Sequence, residues 1–144
     1  MKICLMTEAD CEKTGLLMKE CFSVPWSVEG LKEMFHTEGY CSFLAKEEEE
    51  VIGYVGMKMV LDEADITNVA VLPSHRKKGI AGKLLKQLLE EAKKQNLHSI
   101  YLEVRASNIA AVTLYEHAGF KEVGQRKNYY DNPREDARLM LWEA

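Results

Sequence analysis

One carboxylate lies in an otherwise apolar strand in the last third of the chain, where it could accept a proton. Residues 99 to 104 alternate as a half-buried strand, which places Glu103 on the face opposite the aliphatic side chains. A carboxylate in such a strand is costly unless it is hydrated or paired. Glu103 is therefore either half of a structural ion pair, with Arg105 or Arg126, or a general base at the carboxyl end of its strand.

A glycine-containing turn is the second feature that points to chemistry. A β-branched strand at 69–71 stops at Pro73, and a Leu-rich amphipathic helix begins at Ile80. Gly79 and Gly82 leave the first turn of this helix almost free of side chains, so its unpaired N–H groups can bind a phosphate. The alternative is a capped helix beside a solvated basic turn. Four side chains add mobile positive charge there: Arg76, Lys77, Lys78 and Lys83.

The elements that would position these residues follow from periodicity and capping signals. Thr7, Ser27 and Asn108 are predicted N-caps, and Gly53 and Gly56 are predicted bulge or close-approach points within a strand. The predicted order is β-α-α-β-β-β-α-β-α-β-β, with strands at 2–6, 40–46, 51–61, up to 72 and 99–104, helices at 7–22, 27–35, 80–96 and 109–118, and a last hairpin over 120–142. This alternation predicts an α/β fold, a mixed sheet with helices on both faces.

Length and composition bound the class of protein. With 144 residues, 47% hydrophobic and 29% charged, we expect a single domain over residues 1–144. No apolar run resembles a signal peptide or a membrane span, so we expect a cytoplasmic protein with no membrane partner. The net charge of −4 argues against nucleic acid as a partner. The four cysteines lack zinc-site spacing and are expected to be reduced and mostly buried, with no metal bound.

Several separated motifs together resemble one known family. The patterns V-x-P-x-x-R-x-x-G-x-A from Val71, L-E-V-R-A-S-N from Leu102 and L-Y-E-x-x-G-F from Leu114 resemble the GCN5-related N-acetyltransferase (GNAT) superfamily. Five segments resemble its RimI-like branch: 25–27, 61–64, 103–108, 126–130 and 134–137. The resemblance covers nearly the whole chain. It implies a single-domain GNAT fold with a mostly antiparallel seven-stranded sheet and splayed central parallel strands.

The resemblance implies acetyl-CoA as co-substrate and no metal. The pyrophosphate would lie on the N–H groups of 77–82, and the pantetheine arm would pair with the strand at 69–71. A backbone N–H near Val71 would polarise the thioester carbonyl. Ala81 stands where the superfamily often has glycine. The implied donor-binding residues are Val69, Ala70, Val71, Arg76, Lys77, Lys78, Gly79, Ile80, Ala81, Gly82 and Asn108.

The same resemblance implies roles in proton transfer and acceptor binding. Glu103 would take a proton from the acceptor amine through a water, and Tyr115 would protonate the leaving CoA thiolate. Judged from its residue type alone, Tyr115 is equally an aromatic side chain that packs against the sheet. Trp26 and Tyr130 would flank the groove for the first residues of a peptide, or else pack in the core and the hairpin.

The RimI-like branch implies a substrate as well as a reaction. Its members acetylate the N-terminal alanine of the small-subunit ribosomal protein S-eighteen, so we expect this acceptor or a similar protein N-terminus. The segment 131–133 is shorter than in the enteric pattern, which leaves the peptide preference open. Alternatives are an acetyltransferase for lysine or small amines, and a non-catalytic acetyl-CoA-binding partner protein. We expect a monomer or a weak dimer.

Overall fold

Strands and helices occur in the order that periodicity predicts. The computed structural model describes all residues from Met1 to Ala144. Its strands are β1 Lys2–Leu5, β2 Tyr40–Glu47, β3 Glu50–Val60, β4 Glu63–Val71, β5 Ser99–Arg105, β6 Lys121–Tyr130 and β7 Glu135–Glu143. Its helices are α1 Cys11–Cys21, α2 Val28–His36, α3 Ile80–Lys94 and α4 Ile109–His117. Short 3-10 turns at Glu8–Asp10 and Pro73–His75 precede α1 and α3, so the first predicted helix begins as a tighter turn.

The strands form one mixed sheet in the order β1-β2-β3-β4-β5-β7-β6. Every neighbouring pair is antiparallel except β4 and β5. A parallel pair needs a long crossover, and α3 provides it between these two strands. The expected seven-stranded, mostly antiparallel sheet with central parallel strands is therefore confirmed.

Alternate residues of the inner strands face two different helix layers. Phe43 and Ala45 of β2 belong to a core with α3 and α4, whereas Leu44 between them belongs to a second core with α1 and α2. Leu84 and Leu88 of α3 are fully buried in the first core. Burial of each such leucine contributes about 2 kcal/mol to stability. Helices thus cover both faces of the sheet, as predicted.

Polar side chains fix the starts of the first two helices. The Asp10 carboxylate accepts hydrogen bonds from the backbone N–H and the hydroxyl of Thr7, at 2.8 and 3.0 Å. Lys46 of β2 lies 2.7 Å from the other oxygen of Asp10, which ties this turn to the sheet. The Ser27 hydroxyl oxygen accepts the N–H of Gly30 at 3.0 Å. Thr7 and Ser27 therefore occupy the helix-start positions predicted for them.

Both strand glycines of β3 lie where another group approaches closely. A Cβ on Gly53 would lie 2.9 Å from Cδ1 of Leu84, so glycine lets α3 pack directly on the sheet. A Cβ on Gly56 would overlap the Tyr54 hydroxyl, and the register with β4 shifts at this residue. The predictions for Gly53 and Gly56 are confirmed.

The cysteines are free thiols with unequal burial. Cys11 is fully buried, but Cys4, Cys21 and Cys41 are only partly buried, so the expectation of mostly buried thiols is wrong for these three. Cys4 lies on the edge strand β1, Cys41 near the start of β2 and Cys21 at the end of α1, and such positions leave one side uncovered. No group of three or more His, Cys, Asp and Glu side chains is arranged to hold a metal ion. None of the helices combines the length and the apolar composition needed to cross a bilayer.

Candidate active site

The two central parallel strands separate after a short paired segment. Residues 63–65 of β4 pair with residues 99–101 of β5, and no further pair joins the two strands. Opposite β3, the register shift leaves one extra residue in β4, the bulged Thr67. From residue 66 to residue 71, β4 therefore has an unpaired backbone edge toward β5. A groove opens between the two strands.

The groove has a volume of about 840 Å³ and collects residues from distant parts of the chain. Five residues that the sequence singles out as site residues line it: Val69, Glu103, Asn108, Tyr115 and Tyr130. Asn68, Arg105, Arg126 and Tyr129 line it as well. The structure thus brings the predicted base, the predicted acid and one predicted acceptor residue to a single site.

Glu103 lies near the carboxyl end of β5 with its carboxylate oxygens in different environments. Oε1 lies 3.5 Å from Nε of Arg126, whose side chain is more than half exposed. Oε2 is buried and has no hydrogen-bond partner in the protein. Of the two expected ion-pair partners it is Arg126 that contacts Glu103, because Arg105 pairs with Glu135 instead. A buried oxygen without a donor suits a bound water or amine.

Tyr115 reaches the same groove from α4. Its ring packs edge-on against Phe120, with 5.8 Å between ring centroids, and the residue is 8% exposed. Burial and, less strongly, the neighbouring Tyr130 raise the pKa of Tyr115 to about 12. The hydroxyl therefore stays protonated at neutral pH. Tyr115 therefore packs against the core and also lines the candidate site.

Two tyrosines at the end of β6 line the groove next to Glu103. The rings of Tyr129 and Tyr130 are perpendicular, with 5.0 Å between centroids. The Arg105 guanidinium lies 4.5 Å from the centre of the Tyr130 ring, and the Arg126 guanidinium lies 5.7 Å from that of Tyr129. Burial first, and then the charge of Glu103, raise the pKa of Tyr130. Tyr130 thus packs within the hairpin and also faces the groove.

Trp26 lies beside the groove and is not one of its lining residues. Its indole Nε1 donates a hydrogen bond to Oδ1 of Asn68 at 3.0 Å. Asn68 follows the bulge in β4 and lines the groove. Trp26 therefore reaches the site through Asn68, and Tyr130 reaches it directly.

The turn before α3 presents backbone N–H groups to solvent. Gly79 has a left-handed φ of 77°, and a Cβ there would meet no atom within 4 Å. The first backbone bond of α3 joins the N–H of Lys83 to the carbonyl of Gly79 at 3.1 Å, which leaves the preceding amides without helix partners. Lys77 and Lys78 are exposed beside them. This geometry fits a phosphate.

Arg76 differs from the other cations of this turn. Its Nε donates to the carbonyl oxygen of Val71 at 3.0 Å, and the same oxygen accepts from the Cys21 thiol at 3.4 Å. The expectation of a mobile charge is therefore wrong for Arg76. A guanidinium whose Nε is bound to a strand carbonyl fixes the path of the chain from β4 into the turn.

Asn108 combines a structural role with a place in the groove. Its Oδ1 accepts the N–H of Ala111 at 3.2 Å, which confirms the predicted N-cap of α4. Because Oδ1 serves the cap, the side-chain N–H₂ group is the part that can donate to a ligand in the groove.

Sequence reasoning missed Asn68 and gave Arg105 the wrong partner. A local signal for Asn68 existed, because Thr67 and Asn68 are polar residues in the middle of a central strand, where apolar residues are usual. No such signal existed for Arg105. Its partners lie in the connection between β6 and β7, and only the folded chain brings them together.

A second groove lies on another part of the surface. It has a volume of about 1060 Å³ and lies between α1, the tip of the β2–β3 hairpin and the Pro73–His75 turn. The charged residues 47–50 border it, and none of the predicted site residues lines it. The groove that contains Glu103 and Tyr115 is therefore the candidate active site.

Comparison with known proteins agrees with this geometry. Residues 12–120 match the sequence model of the acetyltransferase (GNAT) family. The chain belongs to this family. It is accordingly an acetyltransferase, and the GNAT fold implied by the sequence motifs is confirmed.

Similar GNAT proteins come from several bacteria. The [ribosomal protein bS18]-alanine N-acetyltransferase of Haemophilus influenzae is 38% identical in an alignment that covers 97% of each chain. The crystal structure of the ribosomal-protein-S18-alanine N-acetyltransferase from Escherichia coli superposes with a TM-score of 0.90 at 33% identity, over 99% of this chain and 92% of that one. A Salmonella typhimurium protein solved with its cofactor acetyl-CoA shares the fold, with a TM-score of 0.87 at 20% identity over 99% and 93% of the chains.

Proposed function

We propose that this GNAT enzyme transfers an acetyl group from acetyl-CoA to the N-terminal alanine amine of a small-subunit ribosomal protein of the bS18 type, or to similar protein N-termini. The observation that carries the proposal is the meeting of Glu103 and Tyr115 in one groove beside the unpaired edge of β4. Relatives that match nearly the whole chain are named for this reaction, which supports the choice of acceptor.

The donor side has the features that acetyl-CoA needs. The open turn at Gly79 offers backbone N–H groups to a pyrophosphate, with Lys77 and Lys78 beside it. The unpaired edge of β4 at 69–71 offers N–H and C=O groups to an amide-containing pantetheine arm. The N–H₂ group of Asn108 is the remaining donor near this arm. Bound here, acetyl-CoA supplies an activated acetyl thioester.

Glu103 takes the proton that the acceptor amine must lose. An α-amino group has a pKa near ~8, and only its neutral form attacks a carbonyl carbon. The unpartnered Oε2 of Glu103 accepts this proton, directly or through a water, while Arg126 holds Oε1. The amine nitrogen then forms the new bond to the acetyl carbon.

Tyr115 supplies the proton that the leaving group needs. As the bond between acetyl carbon and sulfur breaks, the CoA sulfur takes up negative charge and accepts a proton. Because burial raises the pKa of Tyr115 to about 12, its hydroxyl is protonated at every physiological pH. A backbone N–H near Val71 stabilises the oxygen of the reacting carbonyl. The transfer is direct, so none of the cysteines has a catalytic role.

The acceptor enters from the side of the β6–β7 hairpin. Tyr130 lines its path directly, and Trp26 contributes through Asn68. Steric limits between these groups select a small first side chain. We place the reaction in the cytoplasm, where ribosomal proteins are made, and assign the enzyme a monomeric or weakly dimeric state.

A peptide panel tests the proposed acceptor. Purified enzyme is incubated with acetyl-CoA and three peptides, beginning with Ala, beginning with Ser, or carrying an internal Lys behind a blocked N-terminus. Intact-mass analysis should show a single acetyl group on the Ala peptide, less on the Ser peptide and none on the blocked one. Acetylation of the blocked peptide alone would assign the enzyme to lysine side chains.

A further inference from the structure

We infer that Arg105 is a positioning residue that holds Tyr130 in the wall of the acceptor groove, and so sets the affinity for the acceptor without affecting that for acetyl-CoA. The inference rests on the proposed function, since it deepens the acceptor side of the same site. Arg105 ends β5, two residues after Glu103, and its side chain is 32% exposed.

The edge of the guanidinium binds the connection between β6 and β7. Nη1 donates to the carbonyl oxygen of Pro133 at 2.9 Å, and Nη2 donates to that of Asp131 at 2.9 Å. Two carbonyls that accept from one planar fork have their separation and direction fixed. Arg105 therefore determines where this connection lies relative to the strand that carries Glu103.

Glu135 reinforces the same contact from the start of β7. Its Oε1 lies 3.3 Å from Nη1 of Arg105, and its Oε2 accepts the backbone N–H of Ser107 at 2.7 Å. Hydrogen bonds from Ser107 and, less strongly, from Arg105 lower the pKa of Glu135, so the carboxylate is ionised at neutral pH. The end of β5 and the start of β7 are thus joined through one arginine and one carboxylate.

The face of the same guanidinium contacts Tyr130. Cζ of Arg105 lies 4.5 Å from the ring centre, within the range of a cation–π contact. Tyr130 in turn packs perpendicular to Tyr129, and both rings line the groove beside Glu103. A lysine ammonium could replace one of these contacts, but it has neither the fork for two carbonyls nor the flat face for a ring.

These contacts all lie on the acceptor side. The partners of Arg105 are Tyr130 and residues 131–135, and none belongs to the turn at 76–82 that would hold the pyrophosphate. Loss of the guanidinium therefore frees Tyr130 and the hairpin connection while the donor amides keep their positions. Loss of the guanidinium should therefore raise KM for the acceptor peptide and leave kcat unchanged, because Arg105 touches no reacting atom in this geometry.

The test makes the same substitution, Arg to Lys, at two positions and compares the KM values of the two variants. Arg105→Lys should raise KM for an Ala-starting peptide about tenfold and leave KM for acetyl-CoA and kcat within about twofold. Arg138→Lys is the matched control, since Arg138 is 29% exposed. Its guanidinium, like that of Arg105, donates to a backbone carbonyl: Nε of Arg138 lies 3.1 Å from the carbonyl oxygen of Ala106. It does not line the groove and should leave both KM values unchanged.

A double variant separates positioning from general loosening. In a Tyr130→Ala background, Arg105→Lys should add less than about twofold to the acceptor KM, because the side chain through which it acts is already gone. A full tenfold increase in that background would overturn the inference. If Arg105→Lys does not fold, Glu135→Gln is tested in its place. This variant should raise KM for the acceptor peptide about threefold and leave KM for acetyl-CoA unchanged. An unchanged KM for the peptide would overturn the inference.

The proposed function and this inference fail in different ways. If the unaltered enzyme does not acetylate the Ala peptide, the proposed acceptor is wrong, and KM is then measured with whichever amine is acetylated. If the enzyme acetylates the Ala peptide and Arg105→Lys leaves its KM unchanged, Arg105 is not the positioning residue. An equal rise in both KM values would assign Arg105 a purely structural role and also overturn the inference.

Discussion

The turn before α3, which we propose holds the donor, and the β6–β7 hairpin, which lines the candidate active site, are built from different chemical groups. The turn consists of backbone N–H groups exposed around the left-handed Gly79, with Arg76 bound to the end of β4. The hairpin side consists of side chains, in which Arg105 reaches a carboxylate 30 residues further along the chain and stacks on Tyr130. One region is local in sequence and the other is not.

Because of this difference, the two regions recognise different kinds of ligand. Backbone amides at a helix start bind any phosphate, so the donor side suits one co-substrate shared by a whole family. Packed side chains define a shape, and single substitutions change it. Under the proposed function, the acceptor side is therefore where acetyltransferases of this family can diverge in substrate.

The largest expected effect comes from the proposed general base, Glu103, which belongs to neither region. Glu103→Gln removes the proton acceptor and keeps the shape, so kcat/KM for an Ala-starting peptide should fall about 100- to 1000-fold. Neither binding region is altered, so the dissociation constant of acetyl-CoA should be unchanged by calorimetry. The measurement therefore separates proton transfer from the binding of the donor and of the acceptor.

Glu122→Gln is the control for that substitution. Glu122 lies on β6 and contacts Arg138 at 3.4 Å, outside the groove. Its loss should leave kcat/KM within about twofold, because an exposed ion pair contributes little to stability. Wild-type activity in Glu103→Gln would show that another group takes the proton.

The pH profile tests the two proton-transfer roles together. Below the amine pKa of ~8 only the neutral fraction reacts, so kcat/KM should rise about fiftyfold from pH 6 to pH 8. Because burial raises the pKa of Tyr115 to about 12, the rate should then rise only about twofold more as the amine becomes fully neutral, and show no decline up to about pH 10. Samples returned from pH 10 to pH 8 control for denaturation. A decline that begins near pH 9 would mean that Tyr115 is not the acid.

The same contrast explains how much the sequence reveals. The order of elements, the caps at Ser27 and Asn108 and the open turn at Gly79 depend on residues within a few positions of one another, and they are found where periodicity and capping predict them. Only the motifs that resemble the GNAT family predict that Glu103 and Tyr115 lie in one site. Neither periodicity nor capping could indicate that Arg105 binds the hairpin connection, because that contact depends on how β5 pairs with β7.

A substitution in the turn should affect only the donor. Gly79→Ala places a Cβ at a left-handed φ, which costs about 1–2 kcal/mol, so the turn shifts and KM for acetyl-CoA should rise about tenfold. KM for the peptide should not change. Gly124→Ala in β6 is the control, since its Cβ would lie at an ordinary 3.5 Å from Leu139 and its backbone is extended. An increase in the peptide KM instead would reverse the assignment of the two sides.

The smallest expected effect lies at a hydrogen bond between the proposed acceptor and donor sides. We assign Trp26 to the acceptor side, and it donates to Asn68, which lies on the strand that would pair with the pantetheine arm. Trp26→Phe removes a bond worth about 1 kcal/mol, so KM for the peptide and for acetyl-CoA should each rise about two- to threefold. The double variant with Asn68→Ala should be no worse than Asn68→Ala alone, since both changes remove the same bond. If only the peptide KM rises, the two regions are independent, and the separation between donor and acceptor sides is complete.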